Sequence, residues 1–230
     1  MFEVEQADFC VIPEPAATVI PLREAGDGYE VLLIHRNPTL SFHGGIWAFP
    51  GGKVEDIDYD NENNDILAAA RRAAVREAHE EAGILIRVQN LFLISRWTTP
   101  ERQSRRYKTW FFAAAIDDQN VRVDGEETLG YRWIKPGEAI KAQGTGEMQM
   151  VPPTYVTLAD LSKYKTLEGL VASFEGRSLE VFLPRIKILP GGFCSLYHGD
   201  AAYDGGDIHQ PGGRHRLWGM ETGWYYERTE

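Results

Sequence analysis

The stretch Arg76-Glu77-Ala78-His79-Glu80-Glu81-Ala82-Gly83-Ile84 constrains this chain more than any other. Residues three and four apart share one face of an α-helix, so Glu77, Glu80 and Glu81 converge within about one turn. Like charges stacked this way weaken an isolated helix. A hard divalent cation turns the repulsion into coordination, because such ions prefer carboxylate oxygen. Gly83 follows at once and suits a left-handed helix end. The bland alternative is a solvated acidic face, so the flanking sequence has to decide.

Upstream, Trp47-Ala48-Phe49-Pro50-Gly51-Gly52-Lys53-Val54-Glu55 is an aromatic run broken by Pro-Gly-Gly, which reads as a strand entering a turn. A strand, a glycine loop and a helix with clustered carboxylates form an ordered set. That set resembles the Nudix hydrolase family, whose signature reads G-x5-E-x7-R-E-U-x-E-E-x-G-U, with U aliphatic. Gly52 takes the place of the first glycine, and Ala78 is a small version of the aliphatic residue. The acidic position six residues after Gly52 is Asp58 where the family has Glu, and the gap from there to Arg76 is ten residues longer than the pattern. Residues 59–65 are acidic and amide-rich and are expected to form a loop ahead of the helix.

The resemblance implies an α+β fold of the α/β/α sandwich type, with a mixed sheet flanked by helices. It implies Glu77, Glu80 and Glu81 as metal ligands with the Gly52 carbonyl, and Mg²⁺, or Mn²⁺ in its place, as the ion. Arg76 is expected to hold the signature loop through Asp58 or Glu55. One of the three glutamates or a loop carboxylate is the expected base, with Glu127 the loop candidate beside Glu126. His79 is expected on the outer face of the helix, and His35 and His43 as polar strand and loop residues.

Substrate is approached through three further stretches: Arg96-Trp97-Thr98-Thr99-Pro100, Arg105 to Phe112, and Val151 to Leu158. They resemble the coenzyme A diphosphatase branch of the same family, which also carries an insertion in the signature. Arg102, Arg105, Arg106 and Lys108 could meet anionic phosphates, since guanidinium pairs with phosphate bidentately. Trp97, Tyr107 and Tyr155 either stack on a base or pack the core. Coenzyme A or an acyl-CoA is the first expectation for the substrate. A nucleotide-sugar, ADP-ribose or dinucleotide diphosphatase is the second. A non-catalytic nucleotide-binding sensor is a third, disfavoured because all three glutamates are present.

The chain has 230 residues, 43% of them hydrophobic, enough for one large domain or a domain with an extension. A net charge of −10 argues against binding nucleic-acid polymers, which calls for a basic stripe. Cys10 and Cys194 have no metal or disulfide spacing, no apolar run is long enough to span a membrane, and the first residues lack a signal-peptide start. A cytoplasmic protein is expected, with no membrane partner. The resemblance leaves a homodimer open without specifying an interface.

Strands are expected at 16–21, 29–36, 85–88, 91–97, 109–116 and 129–134, the run 109–116 buried on both faces. Helices are expected at 66–82 with Asp65 as N-cap, from Pro136 onward, and at 157–174 after Pro152-Pro153. Residues 1–178 read as the Nudix domain. Residues 179–230 read as an irregular, glycine- and aromatic-rich extension with short strands, whose aromatics pack on the domain.

Overall fold

The computed structural model describes residues 11–40, 43–60, 64–101, 103–117 and 120–229. Its central sheet is built from β1 (Glu14–Ala25), β2 (Gly28–Arg36), β3 (Trp47–Ala48), β4 (Gly51–Lys53), β5 (Phe92–Thr98), β6 (Tyr107–Ala115), β7 (Thr128–Ile134) and β8 (Glu180–Phe182). Strands run in the order β3-β2-β1-β6-β5-β8, with β4 paired to β1 and β7 to β2. The sheet is mixed, because β1 runs parallel to β6 and β5 parallel to β8 while the other pairs are antiparallel.

The apolar runs of β1, β2 and β6 are explained by two cores. Ala17, Val19, Leu32, Ile34, Trp110, Phe112 and Ala114 face one side, where they pack on helix α1 (Ile66–Ala82). Ile20, Leu22, Val31, Leu33, Phe111 and Ala113 face the other side. There they meet α2 (Pro136–Gly144), α3 (Pro152–Leu161) and α4 (Leu167–Phe174). Alternate side chains of a strand point to opposite faces, so a strand covered on both sides must be apolar throughout. The result is the expected α/β/α sandwich.

Helix α1 begins and ends where its sequence dictates. The Asp65 carboxylate accepts from Leu67 N at 2.9 Å, and Gly83 closes the helix at φ +67°. Its buried face is almost all alanine, at 69, 70, 73, 74, 78 and 82, which lets the helix lie close to the sheet. The helix starts ten residues ahead of Arg76, so extra helical turns take up much of the insertion in the signature. Of the expected loop, residues 61–63 lie outside the described residues. Its two ends are structural: Tyr59 packs on the α1 core and Asp65 is the cap.

Three expectations are corrected. Residues 85–88 form no strand, since no neighbour pairs with them; Ile84 and Ile86 bury beneath α1 and a 3₁₀ turn follows at Val88–Asn90. The single helix at 157–174 is two helices, because Pro152 and Pro153 lie inside the first turn of α3, which ends at Leu161, and Thr166 caps a new helix by accepting from Gly169 N. The extension is more regular than its glycines suggest. After Leu183-Pro184 the chain leaves the central sheet and makes β9 (Arg185–Leu189), β10 (Gly192–Leu196), β11 (His215–Met220) and β12 (Gly223–Arg228), a second antiparallel sheet in the order β12-β11-β10-β9. Proline cannot donate to a ladder, which fits the break at 184.

The second sheet has two occupied faces. Leu217, Tyr226, Phe193 and Trp224 join the core that contains α3 and α4, with Tyr197 beside them. The Tyr155 hydroxyl donates to Trp224 O at 2.8 Å. On the opposite face Cys194 and Leu196 pack with Ala202, under a buried Asp200–Arg216 pair at 2.6 Å. Cys194 is a free, buried thiol, and Cys10 lies outside the described residues. Among the described residues no helix is long and apolar enough to cross a membrane.

Candidate active site

The glycine loop is fixed to the sheet before it meets the helix. Strand β4 lies beside β1 with Gly51 opposite Thr18, and the Thr18 hydroxyl donates to Pro50 O at 2.6 Å. A Cβ on Gly51 would lie 2.4 Å from Ala17 O and 2.6 Å from Thr18 Cα, so a side chain is excluded by backbone. A Cβ on Gly52 would lie 2.3 Å from Glu77 Oε1, so the Glu77 carboxylate rests directly against the Gly52 backbone.

The three glutamates have distinct surroundings. Glu81 is 4% exposed and accepts from Gly51 N at 2.8 Å and from Arg36 Nη1 at 3.1 Å. Burial still pushes its carboxyl up to about 8, against the pull of those two donors. Burial also raises Glu77, with Arg76 opposing. The Glu80 side chain is 54% exposed. The Arg76 guanidinium links the set: it bonds Asp58 through two nitrogens at 2.9 and 3.1 Å, Lys53 O at 3.0 Å, Glu77 Oε1 at 2.8 Å and Glu80 Oε2 at 2.9 Å. Asp58 is 3% exposed and also accepts from Glu55 N at 2.9 Å. Of the two carboxylates expected to hold Arg76, the structure therefore places Asp58 against it.

Among the described residues no three His, Cys, Asp or Glu side chains converge as a ready-made metal cage. Arg76 supplies the positive charge to Glu77 and Glu80. The donors on this face are all oxygen, two of the three carboxylates are raised by burial, and Glu77 packs on Gly52. That chemistry suits a hard divalent cation.

A cleft of about 850 Å³ opens from this face and is lined by Gly52, Arg76, Glu77, Glu80 and Glu81 at one end. Glu127 and Asp124 line it too, whereas Glu126 turns its carbonyl to Asn37. The expected substrate cations separate. Arg105 and Tyr107 line the cleft beside Lys53, whose ammonium sits 5.7 Å from the Tyr107 ring. Arg106 is 5% exposed, and its guanidinium donates to Thr99 O and Val11 O at 3.1 and 2.7 Å, so it braces backbone rather than facing the cleft. Arg102 lies outside the described residues. Trp97 lines the cleft but is stacked on Phe182 at 3.8 Å, and Tyr155 is spent on Trp224, so core packing accounts for both. His79 is exposed on the outer face of α1.

Two cleft residues had no signal in the sequence. Arg36 ends β2 and reaches Glu81 only because the sheet lays β2 near the α1 C-terminus. His43 lines the cleft at φ +54°, in the loop that leads to Gly45. Although its surface is exposed, desolvation by the surrounding cleft walls and the nearby Arg36 lower its imidazole from the usual range.

The NUDIX domain model matches residues 13–152, more than half of the chain. Acyl-coenzyme A diphosphatase NUDT19 of Gallus gallus is 23% identical over 76% of this chain and 73% of that protein. Putative nudix hydrolase 7 of Caenorhabditis elegans is 26% identical over 59% of this chain and 56% of that protein. Among solved structures, a NUDIX hydrolase from Alicyclobacillus acidocaldarius superimposes with a TM-score of 0.63 at 23% identity, covering 73% of this chain and 98% of that one, which is a likeness of fold. The signature residues, the sandwich that presents them and the matched domain agree: this chain belongs to the Nudix family and is a Nudix hydrolase.

Proposed function

We propose that the protein hydrolyses a phosphoanhydride in a nucleoside diphosphate linked to another group, with Mg²⁺ as cofactor and coenzyme A or an acyl-CoA as substrate. One observation carries the reading: a large cleft joins the glutamate face to Arg105 and to Lys53, whose ammonium is paired with Glu14. The likeness to acyl-CoA diphosphatases of about 23% identity supports the substrate class.

Glu77, Glu80 and Glu81, with the Gly52 carbonyl, would hold the cation. When bound, the cation neutralises the diphosphate and activates water. Arg76 fixes the loop on the helix through Asp58 and Lys53 O, and Glu77 and Glu80, which it also bonds, would serve the ion. Glu81 or the loop carboxylate Glu127, whose charge lies near enough to raise Glu81, is the proposed base. Arg105 would pair with a phosphate, and His43 lines the same cleft. The catalytic domain expected at 1–178 is proposed to run on through β8 to about residue 183, with the rest an extension that shares its core, in a cytoplasmic setting.

The test is product analysis with Mg²⁺ on coenzyme A, ADP-ribose, a nucleotide sugar and a dinucleotide. Coenzyme A should yield adenosine 3′,5′-bisphosphate and 4′-phosphopantetheine. Turnover of the others alone would overturn the substrate while leaving the chemistry in place.

A further inference from the structure

Part of the cleft wall comes from the extension. Pro184, Ile186 and Ser195 line it, as do Val151, Pro152 and Pro153. Ile186 and Ser195 are cross-strand partners on β9 and β10, so both present side chains to one face of the second sheet. Leu217 and Tyr226 continue that row, and both pack in the core shared with α3. The position of this wall is thus set by packing.

The lining is unevenly charged. Its ionisable residues, from Arg36 to Glu127, all precede residue 128, while Val151, Pro152, Pro153, Thr154, Pro184, Ile186 and Ser195 carry no charge. These seven offer a phosphate no charged partner. They offer an uncharged chain mostly apolar contact, and the volume of about 850 Å³ is near the top of the range for small-molecule sites. Trp97 also lines the cleft, beside Phe182 of β8, and its buried indole N–H has no hydrogen-bond partner among the described residues. A carbonyl oxygen of an entering ligand would satisfy it.

We infer that the second sheet completes the cleft as a receptor for an elongated uncharged chain on the substrate, the acyl thioester arm of an acyl-CoA, with Ile186 and Ser195 setting how long a chain is accepted. This rests on the coenzyme A reading. Diphosphate binds at the glutamates and Arg105, and the arm runs past Trp97 to the sheet.

The experiment compares coenzyme A with its butyryl and octanoyl thioesters in the full chain, by kcat/KM and by calorimetric binding. Burying a methylene gives at most about fourfold in affinity. Wild type should favour octanoyl-CoA over coenzyme A by about tenfold or more. Ile186→Asp, at a partly exposed position, puts a charge in the arm's path and should bring that ratio close to one. Ser195→Phe fills the space from the neighbouring strand and should favour butyryl over octanoyl. Equal values along the series in wild type, or an unchanged ratio in both variants, would overturn the inference and leave the proposed function standing. Neither binding nor hydrolysis of any member would overturn both.

Discussion

Gly51 and Gly52 are adjacent, and the same added methyl group should do different things at each. At Gly51 the new Cβ meets Ala17 O at 2.4 Å and Thr18 Cα at 2.6 Å. Both are backbone atoms of β1, so β4 must move outward by about 1 Å to reach ordinary van der Waals contact. That movement breaks the pairing with Thr18 and the Gly51 N–H bond to Glu81. Overpacking costs about 1–3 kcal/mol, and a hydrogen bond to a charged group adds about 1.5–3. A loss of about 3–5 kcal/mol corresponds to roughly 10 °C in melting temperature for a chain of this size. At Gly52 the new Cβ meets only the end of Glu77, at 2.3 Å from Oε1. That side chain can rotate away, so Gly52→Ala should stay within about 1 kcal/mol of wild type. Its carboxylate is displaced nonetheless, and turnover should fall by about tenfold or more. Thermal melts and steady-state kinetics on the two variants give the answer. Wild-type turnover in Gly52→Ala, or an unshifted melt in Gly51→Ala, would refute the placement of the loop.

Asp58→Ala leaves the partly buried Arg76 with Glu77, Glu80 and Lys53 O and should cost about 2–3 kcal/mol, below the usual range for breaking a buried pair because those partners remain; an unchanged urea midpoint would contradict this. Glu80→Gln and Glu81→Gln should each lower Mg²⁺-dependent turnover by about a hundredfold or more without unfolding the protein, and full rates in both at saturating Mg²⁺ would reject the site. Replacing residues 60–64 with a short Gly-containing turn, while keeping Tyr59 and the Asp65 cap, should leave the melt nearly unchanged, since loop length enters stability logarithmically; failure to fold would show the stretch to be structural. Burial holds His215 below its usual value, helped by Arg228 and opposed by its hydrogen bond to His198 O and by Glu180 and Asp200. Such a group favours folding above the unfolded value of about 6.5, and that contribution is lost as pH falls through the folded value. The wild-type melt should therefore drop more between pH 7 and pH 5 than that of His215→Asn, and parallel curves would count against it.

The helix and its three glutamates were legible because they obey local rules: a period that aligns positions 77, 80 and 81, a cap at Asp65 and a stop at Gly83. The doubly buried strands were legible from unbroken apolar runs at β2 and β6. The break between α3 and α4 was not, because residues 162–166 are ordinary helix formers apart from Thr166, whose cap is apparent only with Gly169 in place. Glycines hid the second sheet: Gly191 and Gly223 serve hairpin turns at positive φ, while Gly219 makes room for the Phe193 ring. Arg106 shows the limit for the site. Side by side with Arg105 just ahead of β6, it donates to Thr99 O and Val11 O, while Arg105 lines the cleft. Arg36 and His43 reach the cleft through tertiary placement alone.

The most direct test of the central claim is hydrolysis of coenzyme A by wild type and Glu81→Gln with Mg²⁺ and with chelator, read by the two phosphorylated products. Release of adenosine 3′,5′-bisphosphate and 4′-phosphopantetheine in equal amounts by wild type with Mg²⁺, with about a hundredfold loss in the variant and none with chelator, is the expected result. Equal rates in wild type and variant, or undiminished hydrolysis in chelator, would contradict the assignment of chemistry to the glutamate face.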